Sequence, residues 1–315
     1  MTERKEPLDV LIVGAGPAGL TAAIYAGRAL LSTLMVEKAI PGGQLTETDL
    51  IENWPGFEEA VNPQELMASL RKQAERFGAE ILQDEVNRIE PGDPHHRVVT
   101  PRATFEARTI ILAPGSRPRE LRAKRAADFK GRGVSYCATC DGFFFRDKAL
   151  VEIGAGDSGL TEALFLTRFA DSISIVVRHP ETDPRAIRAS AILRERAKKH
   201  PKIRFLWNYV VEEILGEGTV TGVRLKNLET GEIRDIETDG VFVNVGHDPQ
   251  TDFLKGVVDL DDEGYIVTDD RLRTNVPGIF AAGDARIFAH RYAQGVVAAG
   301  EGAIAAIEAE KYVSG

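Results

Sequence analysis

Residues 8–37, LDVLIVGAGPAGLTAAIYAGRALLSTLMVE, decide the fold of this chain. The apolar run 8–13 predicts a short buried parallel strand, and a helical stretch follows the glycine turn through about Arg28. A second apolar run, 33–36, ends in the acid Glu37. The order of strand, glycine turn, helix, strand and acid predicts a dinucleotide-binding βαβ unit.

The glycines of this turn have separate physical roles. Gly14 permits the tight turn, Gly16 lets the backbone approach a pyrophosphate, and Gly19 allows the helix to pack closely on the strand. The helix N-terminus then faces the phosphates. Glu37 is placed to accept hydrogen bonds from a ribose, although an acid at a strand end also serves as a simple cap.

The same pattern recurs in the middle of the chain. Residues 149–153 (ALVEI) predict a strand, the turn 154–159 (GAGDSG) follows, and a helix is expected through about Phe169. Residues 172–177 (SISIVV) predict the next strand. Two nucleotide folds imply two bound dinucleotides, or a duplicated fold whose second site has lapsed. At 315 residues the chain is long enough for two domains.

The only two cysteines, Cys137 and Cys140, lie in the segment CATCDG. At this spacing each sulfur activates the other as a redox dithiol. A zinc site would need further ligands, and the histidines show no ligand spacing. A structural disulfide would close only a very short loop and constrain little chain entropy. The redox interpretation is therefore favoured.

Composition excludes several classes of function. The net charge of −9 argues against nucleic acid as the main partner. No stretch of about 18 apolar residues is present, so we expect no membrane span. The N-terminal residues MTERKEPLDV have no apolar run behind their charges, so we expect no signal peptide. Two cysteines without a wider framework suit a reducing cytoplasm, so we expect a cytoplasmic protein.

Together these motifs resemble the low-molecular-weight, bacterial-type thioredoxin reductases. The resemblance runs nearly end to end and includes GAGPAG, PGGQL, ENWPGF, CATCDG, GHDP, TNVPGIFAAGD and AAGEG. It implies an α/β fold with two Rossmann-like nucleotide-binding domains of the three-layer ββα type. A discontinuous FAD domain is expected at 1–116 and 247–315, and a central domain with the redox disulfide at 117–246. The resemblance further implies a homodimer that reduces thioredoxin or a similar small dithiol protein.

Roles carry over by position. Cys140 would be the sulfur nearest the flavin, Cys137 would attack the disulfide of thioredoxin, and Asp141 would act as the general acid. Asp141 could equally be an N-cap for the following segment, and it could serve both roles. The residues assigned to FAD are Gly14, Gly16, Pro17, Ala18, Gly19, Glu37, Gly43, Gln44, Leu45, Asn53, Gly115, Gly283, Asp284 and Gln294. Those assigned to the second nucleotide are Gly154, Gly156, Asp157, Ser158, Arg178 and Arg188.

The chain departs from the family where NADPH would bind. The family usually has paired arginines that hold the 2′-phosphate. Here the segment 178–185 (RHPETDPR) brings in acids and prolines, and Arg188 follows about four residues later than usual. The altered segment leaves NADPH, NADH or no nicotinamide open. The intact second glycine turn favours NADPH or NADH.

Other departures keep further alternatives open. The segment 117–132 is strongly basic and either steers an acidic protein partner, such as thioredoxin or ferredoxin, or is a solvated hinge. A longer loop with Phe288 and His290 precedes Gln294. A reductase that uses NADPH or NADH has three alternatives. They are a ferredoxin-dependent flavin thioredoxin reductase, a dithiol oxidase that passes electrons to oxygen, and a non-catalytic electron relay.

Overall fold

The computed structural model describes residues 6–287 and 292–315. Phe288 and His290, which belong to the longer loop before Gln294, lie outside these residues. The strands are, in chain order, β1 (Leu8–Val13), β2 (Thr33–Glu37), β3 (Glu80–Gln83), β4 (Arg88–Glu90), β5 (His96–Val99), β6 (Thr104–Leu112), β7 (Ser116–Pro118), β8 (Val134–Ser135), β9 (Ala149–Ile153), β10 (Ser172–Val177), β11 (Ile203–Trp207), β12 (Tyr209–Gly216), β13 (Val220–Asn227), β14 (Ile233–Glu237), β15 (Gly240–Val243), β16 (His247–Pro249) and β17 (Ile279–Ala281). The α-helices are α1 (Pro17–Arg28), α2 (Pro63–Arg76), α3 (Ala138–Asp141), α4 (Asp157–Leu166), α5 (Ala191–Lys199) and α6 (Gly295–Ser314).

The chain divides into two compact units. The first is formed by the chain up to Thr46, by Leu50–Arg117 and by the chain from Asp248 onward. The second is formed by Glu47–Asp49 and Pro118–His247. That the first unit holds FAD and the second a nicotinamide nucleotide remains a prediction.

The first unit is built on a sheet in which β3, β2, β1, β6 and β17 run parallel and β5 and β4 continue it antiparallel. β1 is buried along almost its whole length, because a parallel sheet is covered on both faces. Helices α1 and α6 pack on one face, around Ile12, Ile111 and Ala305. The other face is covered by a second apolar cluster that includes Leu11, Ile110 and residues of β4 and β5.

The second unit repeats this architecture. Its parallel sheet has the strand order β11-β10-β9-β15-β8, and a separate antiparallel sheet is formed by β12, β13 and β14. One face of the parallel sheet packs on helices through Leu160 and Ile175, and the other packs on the antiparallel sheet through Val151 and Val223. Each unit is thus a three-layer fold built on a largely parallel sheet, which confirms the predicted α/β class with two Rossmann-like domains.

Among the described residues, no helix combines the length and the apolar character needed to cross a membrane.

Candidate functional site

The first glycine turn has the geometry expected of a phosphate-binding turn. Gly14 has a φ of 98°, and a Cβ there would lie 2.2 Å from the carbonyl oxygen of Ala113. A Cβ on Gly19 would lie 1.9 Å from the carbonyl oxygen of Gly14. A Cβ on Gly16, the N-cap residue of α1, would meet no atom within 4 Å. The turn is therefore closed toward the protein and open above Gly16, where a phosphate could meet the helix N-terminus.

Glu37 ties the end of β2 to this turn. Its Oε2 accepts the backbone N–H of Ala15 at 2.7 Å, and its Oε1 accepts the backbone N–H of Ala39 at 2.8 Å. Each carboxylate oxygen keeps a second lone pair. The side chain can therefore cap the strand and still accept a ribose hydroxyl, so both interpretations from the sequence are compatible.

Two loops of the first unit approach the same turn. A Cβ on Gly43 would lie 3.2 Å from the Cα of Gly16. The Gln44 side chain that follows donates to the carbonyl oxygen and, at 3.1 Å, to the Oγ of Ser116. Gly115, next to that serine, has a φ of 68°. The structure therefore holds the loop of Gly43 and Gln44 against both the first turn and the segment after β6.

Asn53 and Gln294 are far apart in sequence and adjacent in the structure. The Asn53 Nδ2 donates to the Gln294 Oε1 at 2.9 Å. Gln294 directly precedes α6, and Leu45 packs so closely that a Cβ on Gly295 would lie 2.7 Å from its Cδ1. The predicted flavin-site residues Leu45, Asn53 and Gln294 thus form one group.

Asp284 lies just beyond β17, beside a buried ion pair. The Glu301 carboxylate accepts the backbone N–H of Gly283 at 2.8 Å and pairs with Arg286 at 2.5 Å. Burial, with a contribution from Glu301, raises the pKa of Asp284 to about 6. No described residue donates a hydrogen bond to its carboxylate. A half-buried carboxyl in this state fits a polar ligand group.

The second glycine turn reproduces the first. Gly154 has a φ of 116°, and a Cβ there would lie 2.1 Å from the carbonyl oxygen of Asn244. A Cβ on Gly159 would lie 2.5 Å from the carbonyl oxygen of Gly154, whereas a Cβ on Gly156 would meet nothing within 4 Å. This agreement of local geometry shows that the backbone of the second turn can also receive a phosphate.

The segment that departs from the family pattern packs back onto this turn. The backbone N–H of Arg188 donates to the carbonyl oxygen of Ala155 at 3.0 Å, and the backbone N–H of Ser190 donates to the Asp157 Oδ1 at 2.9 Å. Arg188 is thereby anchored beside the turn. The adjacent Ser158 is exposed.

Some of the charged side chains of the segment 178–188 pair with one another. Asp183 accepts two-pronged hydrogen bonds from Arg185 at 2.6 and 3.0 Å, which hold the pKa of its carboxyl below the ordinary value. Arg178 and Arg188 are exposed and form no ion pair with any described residue. The two arginines predicted to contact the second nucleotide are therefore available, while Arg185 is not.

Cys137 and Cys140 form a disulfide at the start of α3, with their Cα atoms 5.4 Å apart. The backbone N–H of Cys140 points at the Cys137 Sγ, 3.2 Å away. Cys140 is exposed and Cys137 is partly buried. No group of potential metal ligands occurs among the described residues, so the zinc alternative has no support in that part of the chain.

Asp141 is held by a serine, which the sequence analysis did not anticipate. The Ser135 hydroxyl donates to the Asp141 Oδ2 at 2.6 Å and accepts the backbone N–H of Cys137 at 3.1 Å. Asp141 directly precedes the 3₁₀ helix Gly142–Phe145, but its side chain makes no cap hydrogen bond to it. Asp141 therefore occupies the N-cap position that the sequence offered as an alternative, but Ser135 rather than the helix end holds its carboxylate.

Two aromatic side chains are exposed next to the disulfide. Phe143 is 61% and Phe144 is 76% exposed, and their rings meet edge to face at 6.2 Å. The Arg146 guanidinium lies 5.3 Å from the Phe143 ring. Large exposed aromatics that are clustered in this way are typical of protein-binding surfaces.

A buried polar cluster in the second unit was missed from the sequence. The Asn244 side-chain nitrogen donates to the Glu152 Oε1 at 3.0 Å and to the Glu162 Oε2 at 2.9 Å. We call these three residues the carboxyl–amide cluster. The available signal was the acid inside the otherwise apolar run ALVEI, at a position that proves to be fully buried.

The basic segment 117–132 is partly neutralised by its neighbours. Arg117 lies 3.7 Å from Asp252, and Lys130 lies 3.1 Å from Glu120. Such exposed pairs contribute little to stability, but they reduce the local positive field. The segment therefore offers less net charge to an acidic partner than its composition suggests.

Comparison with known proteins identifies the family. The family model for pyridine nucleotide-disulphide oxidoreductases matches residues 8–302. A thioredoxin reductase of Mycolicibacterium smegmatis is 46% identical over 97% of this chain and 96% of that protein. A thioredoxin reductase of Streptomyces clavuligerus is 45% identical over 97% of this chain and 94% of that protein. The crystal structure of Lactococcus lactis thioredoxin reductase in its FR conformation matches with a TM-score of 0.93 and 41% identity, and covers 98% of this chain and 99% of that chain. The chain therefore belongs to the pyridine nucleotide-disulphide oxidoreductases, and among them to the low-molecular-weight, bacterial-type thioredoxin reductases.

Proposed function

We propose that this protein is a flavin-dependent disulfide reductase that uses the Cys137–Cys140 disulfide to reduce thioredoxin or a similar small dithiol protein. The observation that carries the proposal is the disulfide itself, formed by the only two cysteines at the start of α3 and adjacent to exposed aromatic rings. A staple of this loop size would stabilise little, so a redox role explains it best.

The first unit fits FAD. The open space above Gly16 suits the pyrophosphate, Glu37 suits the adenosine ribose, and the half-buried carboxyl of Asp284 suits the ribityl hydroxyls. The group of Gln44, Asn53 and neighbouring side chains would lie near the isoalloxazine. When bound, FAD would supply two-electron chemistry between a nicotinamide and a disulfide.

The cysteines divide the thiol–disulfide exchange between them. As a thiolate, Cys137 is stabilised by the N–H of Cys140 and attacks one sulfur of the partner's disulfide. A bond forms between Cys137 and that sulfur, and the partner's second sulfur leaves as a thiolate and takes a proton. Cys140 then attacks the Cys137 sulfur, re-forms the intramolecular disulfide, and releases the partner's first sulfur. Asp141, held by Ser135, is the proposed proton donor to the leaving thiolate.

The two exposed phenylalanines give the partner a docking surface. Phe143 and Phe144 follow the disulfide within one turn of chain, so a protein that packs on them would bring its own disulfide close to Cys137. Burying two aromatic rings provides enough apolar area to anchor a transient complex.

We propose NADPH as the electron donor. Arg178 and Arg188 are free to hold a 2′-phosphate, and Arg188 is fixed beside the second glycine turn. Asp183, which could otherwise favour the free 2′-hydroxyl of NADH, is already occupied by Arg185. We further propose that the protein is a cytoplasmic homodimer. Light scattering in solution would measure the mass of the particle and so test the dimer.

An anaerobic titration tests this proposal. NADPH, NADH and chemically reduced ferredoxin are added separately to the holoenzyme, and flavin absorbance and thioredoxin thiols are followed. We expect bleaching and thioredoxin reduction with NADPH, and bleaching without thioredoxin reduction for Cys137→Ser. Reduction by ferredoxin alone would overturn the nicotinamide donor. In a separate aerobic assay, oxygen uptake with a dithiol and no nucleotide would favour the dithiol oxidase.

A further inference from the structure

The carboxyl–amide cluster places two acids where no cation balances them. Glu152 lies on β9 with 0% exposure, and its Oε2 has no hydrogen-bond partner among the described residues. Neither Glu152 nor Glu162 forms an ion pair with a described Lys, Arg or His. The single amide of Asn244 donates one hydrogen bond to each carboxyl. Glu152, the fully buried acid, is therefore expected to hold a proton, because desolvation penalises its charged form, whereas the partly exposed Glu162 is able to ionise.

The cluster is connected to the redox helix. Helix α4, which carries Glu162, packs on α3, and the backbone N–H of Ala138, the residue that follows Cys137, lowers the pKa of Glu162. A carboxyl of the cluster is therefore electrostatically coupled to the start of the redox helix. Glu162 is also partly exposed, whereas Glu152 is not, so the pair can exchange protons with solvent on the Glu162 side.

The groups that act on Glu162 come from several elements. Glu152 faces it from β9, Asn244 from the end of β15, the Ala138 N–H from α3, and Glu47 from the segment Glu47–Asp49. Helix α5 and strand β10 also pack on α4, but no charged group of theirs affects its titration. Burial is the main cause that raises the pKa of Glu162 to about 7, and the neighbouring Glu47 adds to the effect.

We infer that the carboxyl–amide cluster takes up a proton when the Cys137–Cys140 disulfide is reduced, and so allows one sulfur to remain a thiolate. This inference rests on the proposed redox role of the disulfide. A new thiolate at the start of α3, the helix that packs on α4, would repel a carboxylate at Glu162, so the carboxyl becomes protonated as the thiolate forms.

The step balances in electrons and protons. Reduction of the S–S bond takes two electrons, which bound FAD would supply. One sulfur takes a proton from solvent and becomes a thiol, the other remains a thiolate, and a second proton from solvent binds the cluster. The two electrons are thus matched by two protons, and the buried region gains no net charge. Glu162 acts as a positioning residue through Ala138 and touches neither sulfur in this scheme.

The test is the pH dependence of the thiol–disulfide equilibrium of the holoenzyme. The protein is equilibrated with mixtures of reduced and oxidised dithiothreitol between pH 6 and 9, quenched with a maleimide, and the alkylated fraction is measured by mass. The slope of the reduction potential against pH reports how many protons are taken up with the two electrons. Ionisation of a thiol in the reduced form makes this slope less steep as pH rises. Ionisation of a carboxyl in the oxidised form makes it steeper, so the two are distinguishable by sign.

For the wild type, we expect the plot of reduction potential against pH to become steeper as pH rises through about 7, where Glu162 ionises. The increase in slope should correspond to one additional proton taken up per two electrons. Glu162→Gln should lose the steepening, and Glu152→Gln should keep it, because burial raises the pKa of Glu152 well above its ordinary value and the protonated side chain carries no charge to remove. The control Glu195→Gln, on the exposed surface of α5, should match the wild type.

A wild-type profile that does not steepen would overturn the inference, whatever the variants do. Steepening that persists in Glu162→Gln would overturn it as well, and loss of thermal stability alone would not account for the expected change. The measurement needs neither NADPH nor thioredoxin, so failure of the proposed function is recorded separately, by the thioredoxin reduction assay on the same preparations.

Discussion

Replacing Gly16 with alanine is expected to abolish tight FAD binding while the protein still folds. The added methyl group meets no protein atom within 4 Å, so the folded chain accommodates it. It would instead occupy the space over the start of α1 that suits a pyrophosphate. The matched variant is Gly19→Ala, whose methyl group would lie 1.9 Å from the carbonyl oxygen of Gly14.

The magnitudes separate the two variants. Alanine in place of glycine at a helix N-cap costs at most about 1 kcal/mol. Losing one or two hydrogen bonds to a charged phosphate costs about 3 kcal/mol, which weakens FAD binding roughly 100-fold. For Gly19→Ala the added methyl group meets the backbone carbonyl of Gly14, which cannot rotate away, so the loss of folding stability should reach about 3 kcal/mol.

Two assays measure these effects. Thermal unfolding of the apoproteins reports stability, and quenching of FAD fluorescence during reconstitution reports affinity. We expect Gly16→Ala to unfold within a few degrees of the wild type and to bind FAD weakly, and Gly19→Ala to unfold much earlier. If Gly16→Ala binds FAD as tightly as the wild type, the space above this glycine does not receive the pyrophosphate.

Three further predictions follow from the site. The folded-state pKa of Asp284 is about 6 against an ordinary 3.8, so stability of the apoprotein falls as pH rises between these values and stays lower above them. Asp284→Asn should therefore stabilise the apoprotein at pH 7 but not at pH 4. The gain in free energy of unfolding at pH 7 is at most about 3 kcal/mol, and a higher melting temperature would report it. Alanine at Arg178 or Arg188 should raise the KM for NADPH about 10-fold and leave that for NADH unchanged, whereas Arg185→Ala should change neither strongly; equal effects on both nucleotides would contradict a 2′-phosphate site. Phe144→Ala should raise the KM for thioredoxin several-fold with unchanged unfolding, because the ring is exposed; an unaltered KM would place the docking surface elsewhere.

The parallel strands were the most predictable elements. β1, β9 and β10 begin and end where their apolar runs predicted, because a strand buried on both faces is a continuous apolar run bounded by a glycine turn. Less apolar elements were mislocated or missed. The helix after the second glycine turn ends at Leu166 rather than near Phe169, and α5 was not predicted. β12 was also missed, because its alternating residues resemble a surface segment until β13 pairs with it.

The sequence by itself determined the two nucleotide folds, the glycine turns and the redox cysteines, because each depends on residues that are close together in the chain. Only the tertiary structure decided which side chains from distant segments meet. Glu152 and Asn244 are 92 residues apart and become partners because β15 lies parallel to β9. Asp183 engages Arg185 rather than a nucleotide, and Ser135 rather than a helix end holds Asp141. Such contacts depend on strand order, register and burial, and these are set by the packing of the whole domain rather than by any local pattern.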